Sequence, residues 1–130
     1  ATDSDVGLRV SVVSFGFKYG LPVDADMVAD CRFLPNPHWM PELAPQTGQD
    51  QAVVDYVLGQ PGATEFLDAF VRAVGIALDG FGQRGRHDVL VAVGCTGGKH
   101  RSVVMADQIA ARLAQSWPGI GVTHRDLGRE

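Results

Sequence analysis

A chain of 130 residues, 45% hydrophobic and 20% charged, has the length and apolar content for a single domain with a sizeable core. Its net charge of −4 and pI near 5.4 exclude a surface built as a whole for nucleic-acid phosphate. No apolar stretch approaches the roughly 18 to 20 residues of a membrane-spanning helix and no signal-peptide pattern is present, so a soluble cytoplasmic protein is expected.

The polar segment Ala1 to Gly7 is expected to be frayed. The lack of an initiator Met and the early first strand suggest a domain taken from a longer protein. Leu8 to Phe17 holds a β-branched run (Val10, Val12, Val13) that predicts a strand, ending in Ser14-Phe15-Gly16-Phe17-Lys18-Tyr19-Gly20. Gly16 and Gly20 flank Lys18 and leave room for a sharp turn or a ligand, and Lys18 can reach an anion. Leu21 to Asp26 is a linker too short for a helical crossover.

Met27 to Phe33 predicts a second short strand that carries Asp30 and Arg32. Residues two apart share a face of a strand, so Asp30 and Arg32 are expected on one side and Ala29, Cys31 and Phe33 on the other. The charged side suits either an exposed edge or the mouth of a site. Leu34 to Pro41 contains three prolines and is expected to be irregular, packed onto the body through Trp39 with His38 held in place. Loop continues to Gln49. Asp50 is expected to cap a short helix over Gln51–Leu58, and Thr64 to cap a long amphipathic one from Glu65 to about Phe81. Phe66, Leu67, Phe70, Val71, Val74, Leu78 and Phe81 recur at helical spacing and read as core.

After the basic turn Gln83 to His87, the stretch DVLVAVGCTGGKHRSVVM (Asp88 to Met105) reads as strand, loop and helix start with no residue to spare. Val89 to Val93 is an unbroken apolar run, the pattern of a strand covered on both faces. Gly97 and Gly98 permit positive φ and close backbone approach, and a helix start supplies unpartnered N–H groups and a partial positive charge. With Arg101 adding a planar fork, and Lys99 and His100 further charge, the turn reads as an anion cradle. A second amphipathic helix carries Val103, Ala106, Ile109, Ala110, Leu113 and Trp117 as far as Pro118-Gly119, and Ile120 to Leu127 predicts a final strand. The expected fold is α/β: a single domain over residues 1–130, a mostly parallel central sheet flanked by helices, and a strand-loop-helix anion-binding loop. Right-handed crossovers and ligand sites beyond the carboxyl ends of the strands put the Cys95–Ser102 loop, the Phe17–Tyr19 turn and the His124-Arg125 end on one edge of the sheet.

Two chemistries fit that loop. Cys95 followed by five residues, Arg101 and Ser102 has the layout of a cysteine-dependent phosphatase, with Asp24, Asp30 or Asp50 as a general acid. The same loop can instead hold a phosphorylated small molecule without turnover. The two cysteines, Cys31 and Cys95, each end an apolar run and read as buried thiols in a reducing compartment. No metal site and no cofactor is expected.

The segments SFGFKYGLPVDADMVADCRFLPNPHWMPELAPQTGQD and VLVAVGCTGGKHRSV resemble the carboxy-terminal domain of the RapZ (YvcJ-like) family of RNase adapter proteins, and the likeness runs from about Val10 to Leu127. The resemblance implies a binding domain rather than an enzyme: a sensor of glucosamine-6-phosphate that links amino-sugar supply to regulators. It also implies that Cys95, Thr96, Gly97, Gly98, His100 and Arg101 cradle the phosphate side of the ligand, with Lys18, Asp30, Arg32 and His38 completing the pocket. Family members carry an amino-terminal domain with a Walker-type ATP loop. No GxxxxGK[ST] occurs in these residues, so nucleotide-linked activity is expected outside them. Family members that act on RNA end in a basic tail, whereas no lysine follows Lys99 here, which makes RNA a doubtful partner. Protein partners, a ribonuclease or other regulator, and self-association into a homo-oligomer stay open at this point.

Overall fold

The computed structural model describes residues 7–129. The expected fraying of the amino terminus lies, for residues 1–6, outside the described residues. Four strands, β1 (Arg9–Gly16), β2 (Met27–Asp30), β3 (Asp88–Cys95) and β4 (Ile120–His124), form one parallel sheet in the order β2-β3-β1-β4. Helices α1 (Gln51–Leu58) and α2 (Ala63–Gln83) connect β2 to β3, and α3 (Arg101–Leu113) connects β3 to β4. The α/β fold with its parallel sheet is the expected one.

Connection handedness explains the layering. From β2 to β3 and from β3 to β4 the chain moves the same way across the sheet, so right-handed crossovers put all three helices on one face. The core gathers alternate residues of the strands (Val10, Val12, Ala29, Val89, Val91, Val93) against Val53, Val57, Leu67, Val74, Leu78, Met105, Ile109 and Leu113. From β1 to β2 the chain moves the opposite way, so the linker after Gly16 crosses the other face. There Phe17 meets Phe15 edge-on at 4.8 Å, and both rings lie where a side chain on Gly94 would stand. Phe15 and Ala92 are buried on that face, while Leu90 and Val13 are half-buried and Ser11 is exposed. The apolar run of β3 is therefore covered on both faces only toward its carboxyl end, because none of the helices α1 to α3 crosses the second face.

Several boundaries move for local reasons. β2 stops at Asp30 because the Asp30 carboxylate accepts from the Arg32 N–H at 3.0 Å and turns the chain. Arg32 and Phe33 are thus outside the strand, and Phe33 is 53% exposed. Asp50 is the residue before α1, but its carboxylate accepts from the Thr47 N–H, not from the helix. Gly62, with φ of +88°, precedes α2 in place of Thr64. Phe66, Phe70 and Phe81 are half-buried at the core's margin and do not lie inside it. α3 ends before Trp117, which packs on the core from the following turn. β4 ends at His124, three residues short of the expected strand end. The proline loop holds one 3-10 turn, Pro37–Trp39, capped by the Asn36 side chain; Trp39 is 79% exposed, contrary to the expectation that it packs on the body.

Candidate anion-binding site

The register of the sheet brings three loops to one edge. Gly16 stands beside Cys95, Asp30 beside Gly94, and Ser14 beside His124, so the segments after β1, β2 and β3 open together. Between them lies an open cavity of about 200 Å³. Lys18 comes from the turn after β1, Asn36 and His38 from the proline loop, and Cys95, Thr96, Gly97, Lys99, His100 and Arg101 from the β3–α3 loop.

Glycine makes this convergence possible. A Cβ on Gly16 would stand 2.5 Å from the Gly97 carbonyl carbon, so the end of β1 touches the loop through bare backbone. Gly98 has φ of +78°, and a Cβ there would meet the Gly16 nitrogen at 2.8 Å. The Lys18 N–H then donates to the Thr96 carbonyl at 3.2 Å and fixes the Lys18 turn at the cavity.

Arg101 ties the second pair of loops. It is 4% exposed; Nη1 donates to the carbonyls of Leu34 (2.8 Å) and Arg32 (3.2 Å), and Nη2 to Thr96 Oγ1 (3.4 Å), while Nε has no protein partner. His100 is 5% exposed and its Nε2 is likewise unpartnered. Burial pushes the His100 imidazole below its ordinary pKa, against backbone contacts with Gln46, Leu43 and Ala44, and the adjacent Lys99 charge adds to the lowering. Lys99 Nζ donates to the Ala44 carbonyl at 2.9 Å, so the 40–49 loop is fastened to the same turn. Cys95 Sγ lies 3.1 Å from Ser102 Oγ in the first turn of α3.

Of the residues expected in the site, Lys18, His38, Cys95, Thr96, Gly97, His100 and Arg101 line the cavity. Gly98 shapes the loop from behind. Asp30 and Arg32 do not line it: they pair with each other through two side-chain hydrogen bonds of 2.9 and 2.7 Å, and the Arg32 guanidinium covers the Phe17 ring at 3.8 Å. That hydrogen bond, more than any other influence, holds the Asp30 carboxyl below its usual range, and the Arg101 charge contributes. Asp24, Asp30 and Asp50, the aspartates considered as general acids, are all absent from the lining.

Sequence reading gave Lys99 to the anion cradle as added charge but left Asn36 out of the site. It also passed over Asp126, a fully buried carboxylate that accepts from the Gly16 N–H (2.8 Å), Arg125 and Arg129 and so braces the glycine contact from below. Burial opposes its ionisation, but the hydrogen bonds from Arg125, Gly16 and Arg129 outweigh it and hold the carboxyl low. Ser14 Oγ, His124 and Asp107 form a chain with steps of 2.7 and 3.0 Å. Ser14 is fully buried, so this chain fastens β4 to β1 and α3 and offers no surface to a substrate. Among the described residues no group of His, Cys, Asp and Glu is arranged to hold a metal ion, and no helix is long and apolar enough to cross a membrane.

A family model described as the RapZ C-terminal domain matches residues 8–128. A nucleotide-binding protein of Thermobifida fusca is 59% identical over 123 residues, covering 95% of this chain and 42% of that protein. Proteins of the same description from Frankia alni and Paenarthrobacter aurescens are each 60% identical, over 123 and 132 residues, covering 95% and 98% of this chain and 43% of each relative. The chain thus spans about two-fifths of the length of these relatives.

Proposed function

The chain belongs to the RapZ C-terminal domain family, and from that premise we propose that it is a regulatory binding domain for an amino-sugar phosphate, glucosamine-6-phosphate foremost, which it holds without turnover. The observation that carries this reading is the character of the cavity. Among the described residues Lys18, Lys99 and Arg101 line it, no carboxylate does, and two buried nitrogens, Arg101 Nε and His100 Nε2, have no hydrogen-bond partner. Such a set suits a phosphate, whose oxygens accept from a planar guanidinium and from backbone N–H groups at a helix start. Asp30, next to the cavity and already within the field of Arg101, is the carboxylate for the sugar's ammonium; it does so by sharing or exchanging its bond to Arg32. The longer relatives are described as nucleotide-binding proteins, and on this reading that function belongs to the part this chain does not cover. The output passes to a ribonuclease or another regulatory protein in the cytoplasm.

A second reading rests on Cys95. Cys95 lines the cavity and its Sγ lies 3.1 Å from Ser102 Oγ, a placement compatible with a nucleophile toward a phosphoester. One calorimetric series separates the two. Glucosamine-6-phosphate, glucose-6-phosphate, glucosamine and inorganic phosphate are titrated into the wild type, Arg101→Ala and Asp30→Asn, with released phosphate assayed in the same samples. Binding that requires both the amine and the phosphate, falls at least about tenfold in Arg101→Ala, and releases no phosphate is the expected result. Asp30→Asn weakens the amino sugar more than its hydroxyl analogue; equal losses remove Asp30 from the amine site. Phosphate release that depends on Cys95 establishes the phosphatase instead.

A further inference from the structure

Two thiols stand where neighbouring strands finish: Cys95 is the last residue of β3 and lines the cavity, and Cys31 follows directly on the last residue of β2. β2 and β3 pair in parallel from Met27↔Val91 to Asp30↔Gly94, and the Cys31 N–H donates to the Gly94 carbonyl at 2.8 Å. Cys31 and Cys95 therefore occupy the next step of the same ladder. The residues two before them, Ala29 and Val93, both point into the core, and by alternation the two thiols share that side. Their burial agrees: Cys31 is 0% and Cys95 2% exposed, and neither is in a disulfide. Adjacent strands lie about 4.8 Å apart. Disulfides bridge Cα separations of about 4.4 to 6.8 Å, so the ladder holds this pair within bridging range.

We propose that Cys31 and Cys95 are a reversible redox pair, joined as an intramolecular disulfide when hydrogen peroxide enters the anion cavity. The order of events follows from access. Cys95 lines the cavity and reacts first, whereas Cys31 is sealed and its thiol, chiefly through burial and further through Cys95, is pushed up to about 12. The Cys95 sulfur gives up its proton and attacks one peroxide oxygen. The O–O bond breaks, a sulfenic acid forms, and the departing hydroxide takes that proton to become water. The Cys31 sulfur then attacks the Cys95 sulfur; the S–S bond forms, the S–O bond breaks, and the second hydroxide leaves as water with the Cys31 proton. Two thiols are oxidised by two electrons in all and one peroxide is reduced to two waters. The product draws Cys95 away from Ser102 and locks the start of the β3–α3 loop to the segment whose carbonyls hold Arg101.

The test is peptide mapping after peroxide. The folded chain is treated with hydrogen peroxide in a several-fold molar excess, alkylated, digested without reductant, and compared with Cys31→Val and Cys31→Ala, two variants so that a folding defect in one does not decide the matter. The expected result is a single cross-linked pair of peptides bearing Cys31 and Cys95, lighter by two hydrogens and restored by dithiothreitol, with Cys95 advancing to sulfinic acid in both variants. Equal overoxidation of Cys95 in wild type and variants, links between separate chains only, or thiols left intact by peroxide in the folded state overturns the proposal. The mapping needs no ligand, so its outcome is independent of whether glucosamine-6-phosphate binds.

Discussion

Arg101 and His100 carry the cavity's character because each is buried with a nitrogen still unanswered by the protein. A buried polar group without a partner costs about 1–3 kcal/mol, so a ligand oxygen that accepts from either recovers part of that cost. His100 also has a readable pH signature. Its folded pKa lies below the ordinary 6.5, since burial disfavours the imidazolium and Lys99 adds repulsion. The unfolded chain then binds the proton more readily, so stability is intact above about pH 6.5 and falls as pH drops below that value toward the folded one. Asp26, Asp30 and Asp126 are also lowered from the ordinary 3.8, so the stability they contribute is lost only as pH falls below that value, in a separate, more acidic window. The urea midpoint of the wild type is expected to fall between about pH 7 and about pH 5, and that of His100→Gln to change less over the same range. Parallel slopes for the two proteins would remove His100 as the origin.

The strand-loop-helix element works only because β1 ends in a glycine. Gly16→Ala sets a methyl 2.5 Å from Gly97 backbone, and neither side can yield without moving a strand or the anion loop. A loss of about 1–3 kcal/mol is expected from this overpacking, together with loss of phosphosugar binding. Gly121→Ala, where nothing lies within 4 Å, serves as the control and should stay within about 0.5 kcal/mol of wild type. Indistinguishable denaturation curves for the two variants would contradict the account. At this scale the sequence was readable wherever periodicity carried the information: the eight residues of β3, the loop's two glycines, and the long apolar stripe of α2. It was least readable where a side chain redirects the backbone. The Asp30 carboxylate stops β2 through a bond to Arg32, and the same pairing takes both charges off the cavity wall, an outcome that alternation along a strand does not contain. Trp39 likewise stays exposed because the Asn36 cap turns the proline loop.

At the scale of the molecule, the order β2-β3-β1-β4 assembles the site from distant pieces. Lys18, the proline loop and Arg101 meet because β1 and β2 lie on either side of β3 with their carboxyl ends level. The meeting of the Lys18 turn and the β3–α3 loop at one edge was legible from right-handed connections and the strand-to-loop motif, the share of the proline loop's His38 only through the family resemblance, and the family from long segments such as NPHW and GCTGGKHRS. Strand order and the bracing carboxylate of Asp126 were not, since both depend on contacts between distant parts of the chain, 110 residues apart for Gly16 and Asp126. The central claim is that this edge is the ligand site, and amide shift mapping tests it most directly. Titrating 15N-labelled protein with glucosamine-6-phosphate is predicted to move the amides of Thr96, Gly97, Lys99, His100 and Arg101 first and furthest, with Lys18 and His38 following. Shifts centred instead on the exposed strand positions of the second face, around Ser11 and Thr123, or no shifts at saturating ligand, would contradict it.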